Sequence, residues 1–359
     1  MDAIRKQLGI KNHSRSTKGK LVETLALQIP DAIQKIFTFF DVERYTIFKE
    51  ISLSSKGLVR AEKFPPHKLK YFSVYGLAFP IKINNRLYLM APIEVIEAFR
   101  QNDNENYLMH VNENTEMIQI AHGMLYFYGV IRFSKLVGLL GHYFNLDQIE
   151  ENLPRILETL IHGDSYYARA LPYEDYYCYS VIANPQRIIA SQQAFPELDY
   201  YYFNKEDLIR VGSQSLFIPN TKEYRAFIKF LKQNWEVNNK DISDITRKLF
   251  LLIQTEPDRT EMFSQLLDSL EISSLTVIQQ LWHLVIGIRD NIHLWGLKGH
   301  YLPLFHESEL DFPVPGNVYD FDSKKHDSNR FGNKPIKDDE LCPCGSGKEF
   351  KNCCGRNDK

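Results

Sequence analysis

The sequence predicts an α+β fold that is predominantly helical. Two stretches of the chain give helical patterns followed by short apolar runs with turn residues between them, which is typical of helices packed on a β-hairpin. From Asp241 onward, apolar residues recur at three- and four-residue spacing, which predicts a helical bundle. Four of the five cysteines lie between residues 342 and 354. We therefore expect two mixed units, a helical bundle and a small cysteine-rich module at the C-terminus.

Length and composition are those of a soluble globular protein. The chain has 359 residues, 44% of them hydrophobic and 25% charged. No run approaches the roughly eighteen apolar residues that a membrane span needs, and the N-terminus has no apolar signal-peptide core. We therefore expect a cytoplasmic protein.

Charge is unevenly placed along the chain. The net charge of −2 gives no general attraction to nucleic acid, but residues 1–20 alone carry +5 and the other 339 residues carry −7. We interpret 1–20 as a basic flexible arm. Such an arm can seek phosphate, and it is equally typical of a solvated terminus.

The first mixed unit is predicted over residues 21–105. Asp41 is expected to cap a helix, because an aspartate before an apolar periodic run is a common helix start. A second helix should begin after two prolines and run from His67 to about Tyr75. These two helices lead into a hairpin.

The hairpin of the first unit is predicted from two apolar runs, 77–83 and 86–90. Between them lie Asn84 and Asn85, a dipeptide that accepts the positive dihedral angles of a tight turn. Pro92 then begins another helix, as proline commonly does in a first turn.

The second unit is predicted over 106–235 and repeats this order. The pattern indicates helices over 116–128, 133–140 and 147–161, the last containing Pro154, and then a hairpin of strands 166–171 and 176–182 that turns at 172–175. Helices followed by a β-hairpin are the order of elements in a winged helix. We therefore predict tandem winged-helix-like units.

The remaining segments are a bundle, a linker and the terminal module. The bundle covers 236–306, with helices over 241–254, 259–270 and 274–288. Trp295 near its end is expected to pack in the core. Residues 307–340 are polar and rich in Pro, Gly and Asn, which predicts a tether. The module covers 341–359.

The four clustered cysteines form a C-x-C-x8-C-C array. Cys342 and Cys344, with a proline between them and a Gly-Ser-Gly turn behind, form a knuckle that can give two sulfurs to one Zn²⁺. Cys353 and Cys354 would complete a tetrahedral shell, which leaves no position for water and makes the zinc structural. Disulfides or unrelated free thiols are the alternative, and they are disfavoured because the cysteines cluster at the end of a chain that we expect to be cytoplasmic. The remaining Cys178 lies in an apolar stretch and should be a small buried side chain.

The segment from Cys342 to Gly355 resembles the SEC-C motif, the zinc-binding tail best known from the bacterial translocase motor SecA. The run from Gly345 to Lys351 follows the pattern of that motif. Two positions depart from it: the tail usually ends Cys-His where this chain has two cysteines, and Glu349 replaces a commonly basic residue. The resemblance implies a bacterial protein with Zn²⁺ as its cofactor.

The resemblance also implies a partner. The SEC-C tail of SecA contacts a chaperone and the ribosome, so a protein or ribosomal partner is expected here, met by Lys348, Phe350 and Lys351. The side chains around the cysteine array carry a net charge of +2, and a zinc ion with four thiolates carries −2. The module is therefore close to neutral and gives no strong indication of nucleic-acid binding. The phosphate loop of a motor ATPase is absent from the chain.

Winged helices often bind DNA, so basic residues on the predicted helices matter. The second helix of the first unit carries three basic residues that are candidates for phosphate contact, namely His67, Lys68 and Lys70. The corresponding helix of the second unit offers a nearly neutral set of side chains. We expect weak, salt-sensitive binding at best.

No catalytic constellation is found. The sequence has no His-Glu-x-x-His pair and no dinucleotide-binding glycine fingerprint. We interpret His162 and Asp164 as loop polarity, His122 as a helix-face histidine, and the acidic residues near His326 as solvated charge in the tether. The tyrosines from 166 to 179 and from 200 to 202 could stack on bases, but they more often cover one face of a sheet.

Two functions from different classes remain. The first is a zinc-binding interaction or adaptor protein, whose tethered tail docks on a protein or ribosomal partner. The second is a winged-helix nucleic-acid-binding regulator. An enzyme is not predicted, because no residue can be named as its catalyst.

Overall fold

The computed structural model describes residues 2–7, 17, 19, 32–144, 149–214, 217–270, 272 and 274–302. Besides a helical segment over 32–37, the elements are α1 Asp2–Gln7, α2 Val42–Leu53, β1 Leu58–Arg60, α3 Pro66–Val74, β2 Phe79–Ile83, β3 Arg86–Met90, α4 Ile93–Asn102, α5 Glu105–Tyr128, β4 Val130–Arg132, α6 Phe133–Tyr143, α7 Ile149–Tyr167, β5 Ala170–Tyr173, β6 Tyr176–Tyr179, α8 Pro185–Gln193, α9 Lys205–Gly212, α10 Lys222–Asn234, α11 Asn239–Thr255, α12 Arg259–Leu267, α13 Leu275–Asp290 and a 3₁₀ helix Trp295–Leu297. The protein is therefore α+β and predominantly helical, as predicted.

The first sheet is antiparallel, with strand order β1-β3-β2. The predicted hairpin turn is confirmed, since Asn84 and Asn85 have φ values of 48° and 61°. Strand β1 was not predicted: it has three residues and pairs with the far strand of the hairpin, Leu58 opposite Met90. A strand this short carries no periodic signal of its own.

Helix α2 begins as the sequence predicts. The side chain of Asp41 accepts a hydrogen bond from the backbone N–H of Arg44, which satisfies one of the free donors of the first turn. Below α2 lies a core of phenylalanines that pack edge to face or tilted, with ring centroids 5.2–5.7 Å apart, namely Phe37, Phe40, Phe48, Phe72 and Phe99. All five are fully buried. These rings hold α2, α3 and α4 on the first sheet.

The second sheet repeats the antiparallel order as β4-β6-β5. The long helix α5 precedes it and is buried along its C-terminal half. We predicted that this helix begins near Glu116, which is wrong. It begins at Glu105, where Asn104 accepts a hydrogen bond from the N–H of Tyr107. Its first turns bury Tyr107 and Val111 four residues apart, but the exposed apolar residues Leu108 and Met109 next to them obscure this spacing in the sequence.

The predicted hairpin of the second unit is displaced. Helix α7 contains Pro154 as expected, but it continues to Tyr167, where we had placed a strand. Ala168, with φ 54°, ends the helix, and β5 covers 170–173 with its turn at Glu174 and Asp175. The helix persists because Tyr166 is buried against α3, a tertiary contact that local pattern does not show. The predicted start at Asp147 lies outside the described residues.

The three helices of the predicted bundle are observed near their predicted positions as α11, α12 and α13, and the 3₁₀ helix follows them. Trp295 is fully buried, as predicted, and its indole N–H donates to the carbonyl of Tyr126. The side-chain amide of Gln192 donates to the carbonyls of Tyr128, Val130 and Trp295 at 2.9–3.2 Å. One buried side chain thus joins the end of α5, strand β4 and the C-terminal turn.

Helices α5 and α9 cross without side chains between them. A Cβ on Gly212 would overlap the carbonyl oxygen of Gln119, and one on Gly123 would overlap that of Leu208. Two glycines therefore let the backbones touch, which fixes α9 against the central helix.

The described elements belong to one compact unit within residues 1–312. The divisions that we predict at 20/21, 105/106, 235/236, 306/307 and 340/341 stay predictions. Among the described helices, none combines the length and apolar character of a membrane span.

Candidate functional site

A buried polar chain links the two sheet-bearing halves of the protein. Arg44 is fully buried beside Asp41, with its Nε 3.2 Å from Oδ1. Its Nη1 donates to the hydroxyl of Tyr71 at 2.9 Å, and that hydroxyl lies 2.9 Å from Nδ1 of His162. A buried charge needs such partners, because desolvation without them costs several kcal/mol. The chain therefore holds α2 and α3 against α7.

His162 is not the loop residue that we predicted. It lies in α7, is 5% exposed and stacks on Phe39 with a centroid distance of 5.0 Å. Burial, with a smaller contribution from Arg44 and Lys35, lowers the pKa of His162 to about 3. The imidazole is therefore neutral at physiological pH and belongs to the structure of the junction.

The three basic residues predicted to meet phosphate do not share one environment. His67 and Lys70 are exposed on α3, whereas Lys68 is turned toward the body. Its Nζ pairs with Oε1 of Glu43 and lies 4.8 Å from the ring centroid of Tyr166. The pKa of His67 is lowered, first by burial and then by Lys68. Of the two lysines, Lys70 is therefore the one whose ammonium group is exposed and could contact phosphate.

A cavity of about 240 Å³ with charged side chains in its wall lies where α2, α5, α7 and α9 meet. Its wall is formed by the start of α2, the middle of α5, the end of α7 with the segment after it, and the end of α9, and it includes Asp41, Glu43, His122, Tyr167, Arg169 and Ser213. Asp41 is 1% exposed, and its Oδ2 has no hydrogen-bond partner within the described residues. Arg44 occupies the other oxygen. That oxygen is covered by protein atoms, and the phenol of Tyr167 lies against the same carboxylate.

His122 of the cavity wall pairs with Asp164 of α7. Nε2 of His122 is 3.2 Å from Oδ1 of Asp164, and both side chains are largely buried. Burial lowers the pKa of His122 and raises that of Asp164. The edge of the His122 ring faces Tyr167 at 5.6 Å between centroids. His122 is on a helix, as predicted, but it is buried in a network, and Asp164 lies in α7 and not in a loop.

Arg169 supplies the cation of the cavity wall. Its Nη1 donates to the carbonyl of Gly212 at 2.5 Å, which ties the segment after α7 to the end of α9. Burial lowers the pKa of Arg169 from its ordinary value. Burial and then the carboxylates of Asp41 and Glu43 raise the pKa of Tyr167, which stays a neutral phenol.

The sequence reasoning missed this cavity. His122 and Asp164 are 42 residues apart, and Asp41 is farther still, so no spacing marks them as neighbours. The tyrosines singled out earlier do not form one sheet face either, because Tyr166 and Tyr167 end a helix.

The predicted metal ligands Cys342, Cys344, Cys353 and Cys354 lie outside the described residues, as do Lys348, Phe350 and Lys351. In the part of the chain that is described, no group of three or more His, Cys, Asp or Glu side chains is arranged to hold a metal. Cys178 is 1% exposed, and burial raises the pKa of its thiol to about 11. It is the small buried side chain that we predicted.

The similarity to known proteins lies at the C-terminus. Residues 340–356 match the SEC-C motif, a zinc-binding motif known from the tail of SecA. Protein translocase subunit SecA of Clostridium novyi is 45% identical over 40 residues, which are 11% of this chain and 5% of that protein. SecA of Clostridium botulinum is 39% identical over 59 residues, 15% of this chain and 7% of that protein. The chain thus spans less than a tenth of these relatives, and no solved structure matches it.

Proposed function

We propose that this chain is a zinc-binding interaction protein whose C-terminal module docks on a protein or ribosomal partner in the cytoplasm. The match of residues 340–356 to the SEC-C motif carries the proposal. Cys342, Cys344, Cys353 and Cys354 would hold one Zn²⁺ in a closed sulfur shell, which stabilises a small fold and leaves no position for catalysis. Lys348, Phe350 and Lys351 would face the partner.

The experiment combines metal content with capture of partners. The intact chain and a Cys353→Ser, Cys354→Ser variant are purified, assayed for zinc and used to capture partners from lysate with and without nuclease. We expect about one zinc per chain, lost in the variant together with a nuclease-resistant partner. Cys178→Ala is the matched control, because that thiol is buried in the body. Zinc that stays in the double variant would refute the ligand set.

A second candidate is a winged-helix regulator that binds nucleic acid. The second half supports it, because α5, β4, α6, α7, β5 and β6 follow one another as helix, strand, two helices and hairpin, with sheet order β4-β6-β5. The first half has a single helix between β1 and β2, and Lys68 there is engaged with Glu43. Binding would therefore rest on Lys70 and on the basic residues of 1–20 other than Arg5, which is buried in α1, and affinity should fall steeply with salt.

A further inference from the structure

The first sheet is apolar on both of its faces. Val59, Leu87 and Leu89 of the inner face pack in the buried cluster that holds the core phenylalanines. Successive residues of a strand point to opposite faces, so the residues between these three lie on the outer face. That face carries six apolar side chains and two arginines, which are Leu58 and Arg60 on β1, Phe79, Ile81 and Ile83 on β2, and Arg86, Tyr88 and Met90 on β3. All eight are half-buried or exposed, and an apolar face open to solvent is typical of a binding surface.

Two aromatic rings on the outer face have no ring partner. The phenylalanines of the core pack on one another, whereas neither Phe79 nor Tyr88 contacts another aromatic ring of the described residues. Phe79 lies opposite Met90, and Tyr88 lies opposite Ile81 in the next row, so the two rings are diagonal neighbours roughly 7–8 Å apart. Rings placed in this way on an open sheet can stack on successive bases of an unpaired strand, because every base has a π-face.

Two guanidinium groups flank Tyr88. Arg60 lies opposite it on β1, and Arg86 precedes it by two residues on β3, where it faces Ile83. Both arginines are exposed, and in the described ranges neither side chain forms an ion pair or a hydrogen bond. None of the eight outer-face positions is acidic. A guanidinium without a carboxylate partner is suited to a phosphate group, to which it can donate two parallel bonds.

The charge around the sheet favours a polyanion. Residues 54–92, which include the three strands and α3, carry seven basic side chains and one acidic side chain, a net charge of +6, whereas the whole chain carries −2. Of the seven, Lys68 is neutralised by Glu43 of α2. A second copy of the chain would bring two faces of the same charge together. The aliphatic residues of the face also suit a protein partner, but the two open rings beside unpaired arginines favour a nucleic acid.

We propose that the outer face of the first sheet binds single-stranded nucleic acid. Bases stack on Phe79 and Tyr88, and Arg60 and Arg86 contact the phosphates on either side of the stacked bases. The site lies on other elements than Lys70 and the zinc module. It therefore goes beyond both functions proposed above, and its failure would leave them standing.

The test uses the full chain and three labelled probes of equal length, namely a twelve-residue oligouridylate, a twelve-residue oligodeoxythymidylate and a twelve-base-pair DNA duplex. Fluorescence anisotropy is measured at about 50 mM salt. At least one single strand should bind, and the duplex should bind about tenfold more weakly or worse, because paired bases offer no free face. The tighter of the two single strands shows whether the face takes RNA or DNA. If neither single strand binds, or if the duplex binds equally well, the proposal is overturned.

Substitutions that keep the face apolar separate stacking from ordinary hydrophobic contact. Phe79→Leu and Tyr88→Leu should each weaken the single strand about tenfold, because each removes a stacking ring and retains an apolar side chain. A protein partner would tolerate both changes. Unaltered affinity in the double variant would overturn the proposal and assign the face to a protein.

The salt dependence tests the arginines without altering the core. Arg86→Gln should reduce the slope of log affinity against log salt by about 0.7, since one phosphate contact is lost. Lys82→Gln is the matched control, because Lys82 is an exposed cation of the same hairpin that lies on the opposite face of β2. Lys70→Ala should also leave single-strand binding unchanged, which separates this face from α3. Equal slopes for Arg86→Gln and the unaltered chain would contradict the proposal.

Discussion

The Nζ of Lys68 lies 2.5 Å from Oε1 of Glu43 and joins α3 to α2. The same ammonium group lies 4.8 and 4.9 Å from the ring centroids of Tyr166 and Tyr167 at the end of α7. A lysine that the sequence placed on a phosphate-binding face is therefore a contact between three helices.

Replacing Lys68 should lower stability, whereas replacing Lys70 should not. Lys68→Ala removes a partly buried ion pair and two cation–π contacts, and we expect the free energy of unfolding to fall by about 1 kcal/mol. Lys70 is exposed, so Lys70→Ala should change it by less than about 0.5 kcal/mol. Denaturant unfolding measures both values, and equal losses would contradict the assignment of Lys68 to the junction.

The two variants also separate the nucleic-acid hypothesis from structural effects. If α3 contacts phosphate, Lys70→Ala should weaken binding to duplex DNA and reduce its salt dependence. Affinity measured at several salt concentrations decides this. An unaltered salt dependence in Lys70→Ala would remove α3 from the proposed interface.

Glycine at the crossing of α5 and α9 should be irreplaceable. In Gly212→Ala the added methyl group would overlap the Gln119 carbonyl, which is backbone and cannot rotate away, so we expect a loss of about 1–3 kcal/mol or more. Gly138 in α6 is the matched control, because a Cβ there has no atom within 4 Å. Gly138→Ala should raise stability by about 0.5–1 kcal/mol. Thermal denaturation of both variants should show shifts of opposite sign.

Acid should destabilise the junction through His162. Its pKa is about 3 in the folded protein against 6.5 for the free group, so the unfolded chain binds a proton that the folded chain does not. The contribution to stability is therefore complete above pH 6.5 and is lost as the pH falls toward 3, by an amount on the order of a few kcal/mol. Arg44 and Lys35 oppose protonation, whereas Glu158, 3.9 Å from Nε2, favours it.

The pH dependence of unfolding free energy checks this for His162→Gln. The slope between pH 6.5 and 4 should be shallower than in the unaltered chain, because one proton-binding difference is removed. Identical slopes for the unaltered chain and the His162 variant would contradict the prediction.

Two buried tyrosines should respond differently to loss of the hydroxyl. The hydroxyl of Tyr107 donates to the carbonyl of Phe37 at 3.0 Å, so Tyr107→Phe should cost about 1 kcal/mol. The hydroxyl of Tyr224 is buried and has no partner within the described ranges, so Tyr224→Phe should be neutral or stabilising by up to about 1 kcal/mol. Denaturant unfolding compares the two directly, and a large loss in Tyr224→Phe would reveal a partner.

Removal of zinc should leave the body folded. The buried apolar core of the described residues runs from Ile33 to Trp295, and the cysteine array lies beyond it in sequence. A chelator should therefore release about one zinc per chain without changing the main unfolding transition in scanning calorimetry. If the main unfolding transition moved to lower temperature when the metal is lost, the zinc module would be shown to stabilise the rest of the protein.

Local signals predicted those elements whose ends are set by one residue. Asp41 caps α2, the two asparagines adopt the turn of the first hairpin, and Pro92 stands at the start of α4, as expected. In each case the side chain acts on its own backbone, so the sequence suffices.

The parts that the sequence did not reveal depend on distant contacts. Tyr166 extends a helix because it packs on α3 and donates to Glu43, 123 residues away. Strand β1 exists because β3 offers an open edge. His122 and Asp164 meet through the packing of α5 on α7, so their pairing is a property of the fold and not of a motif.

The contact between α5 and α9 has a consequence for evolution. At a crossing where two backbones touch, neither Gly123 nor Gly212 can change alone without displacing a helix and the cavity wall that it carries. Homologues that keep the cavity should therefore have glycine at both positions together, while the solvent face of α9 varies freely.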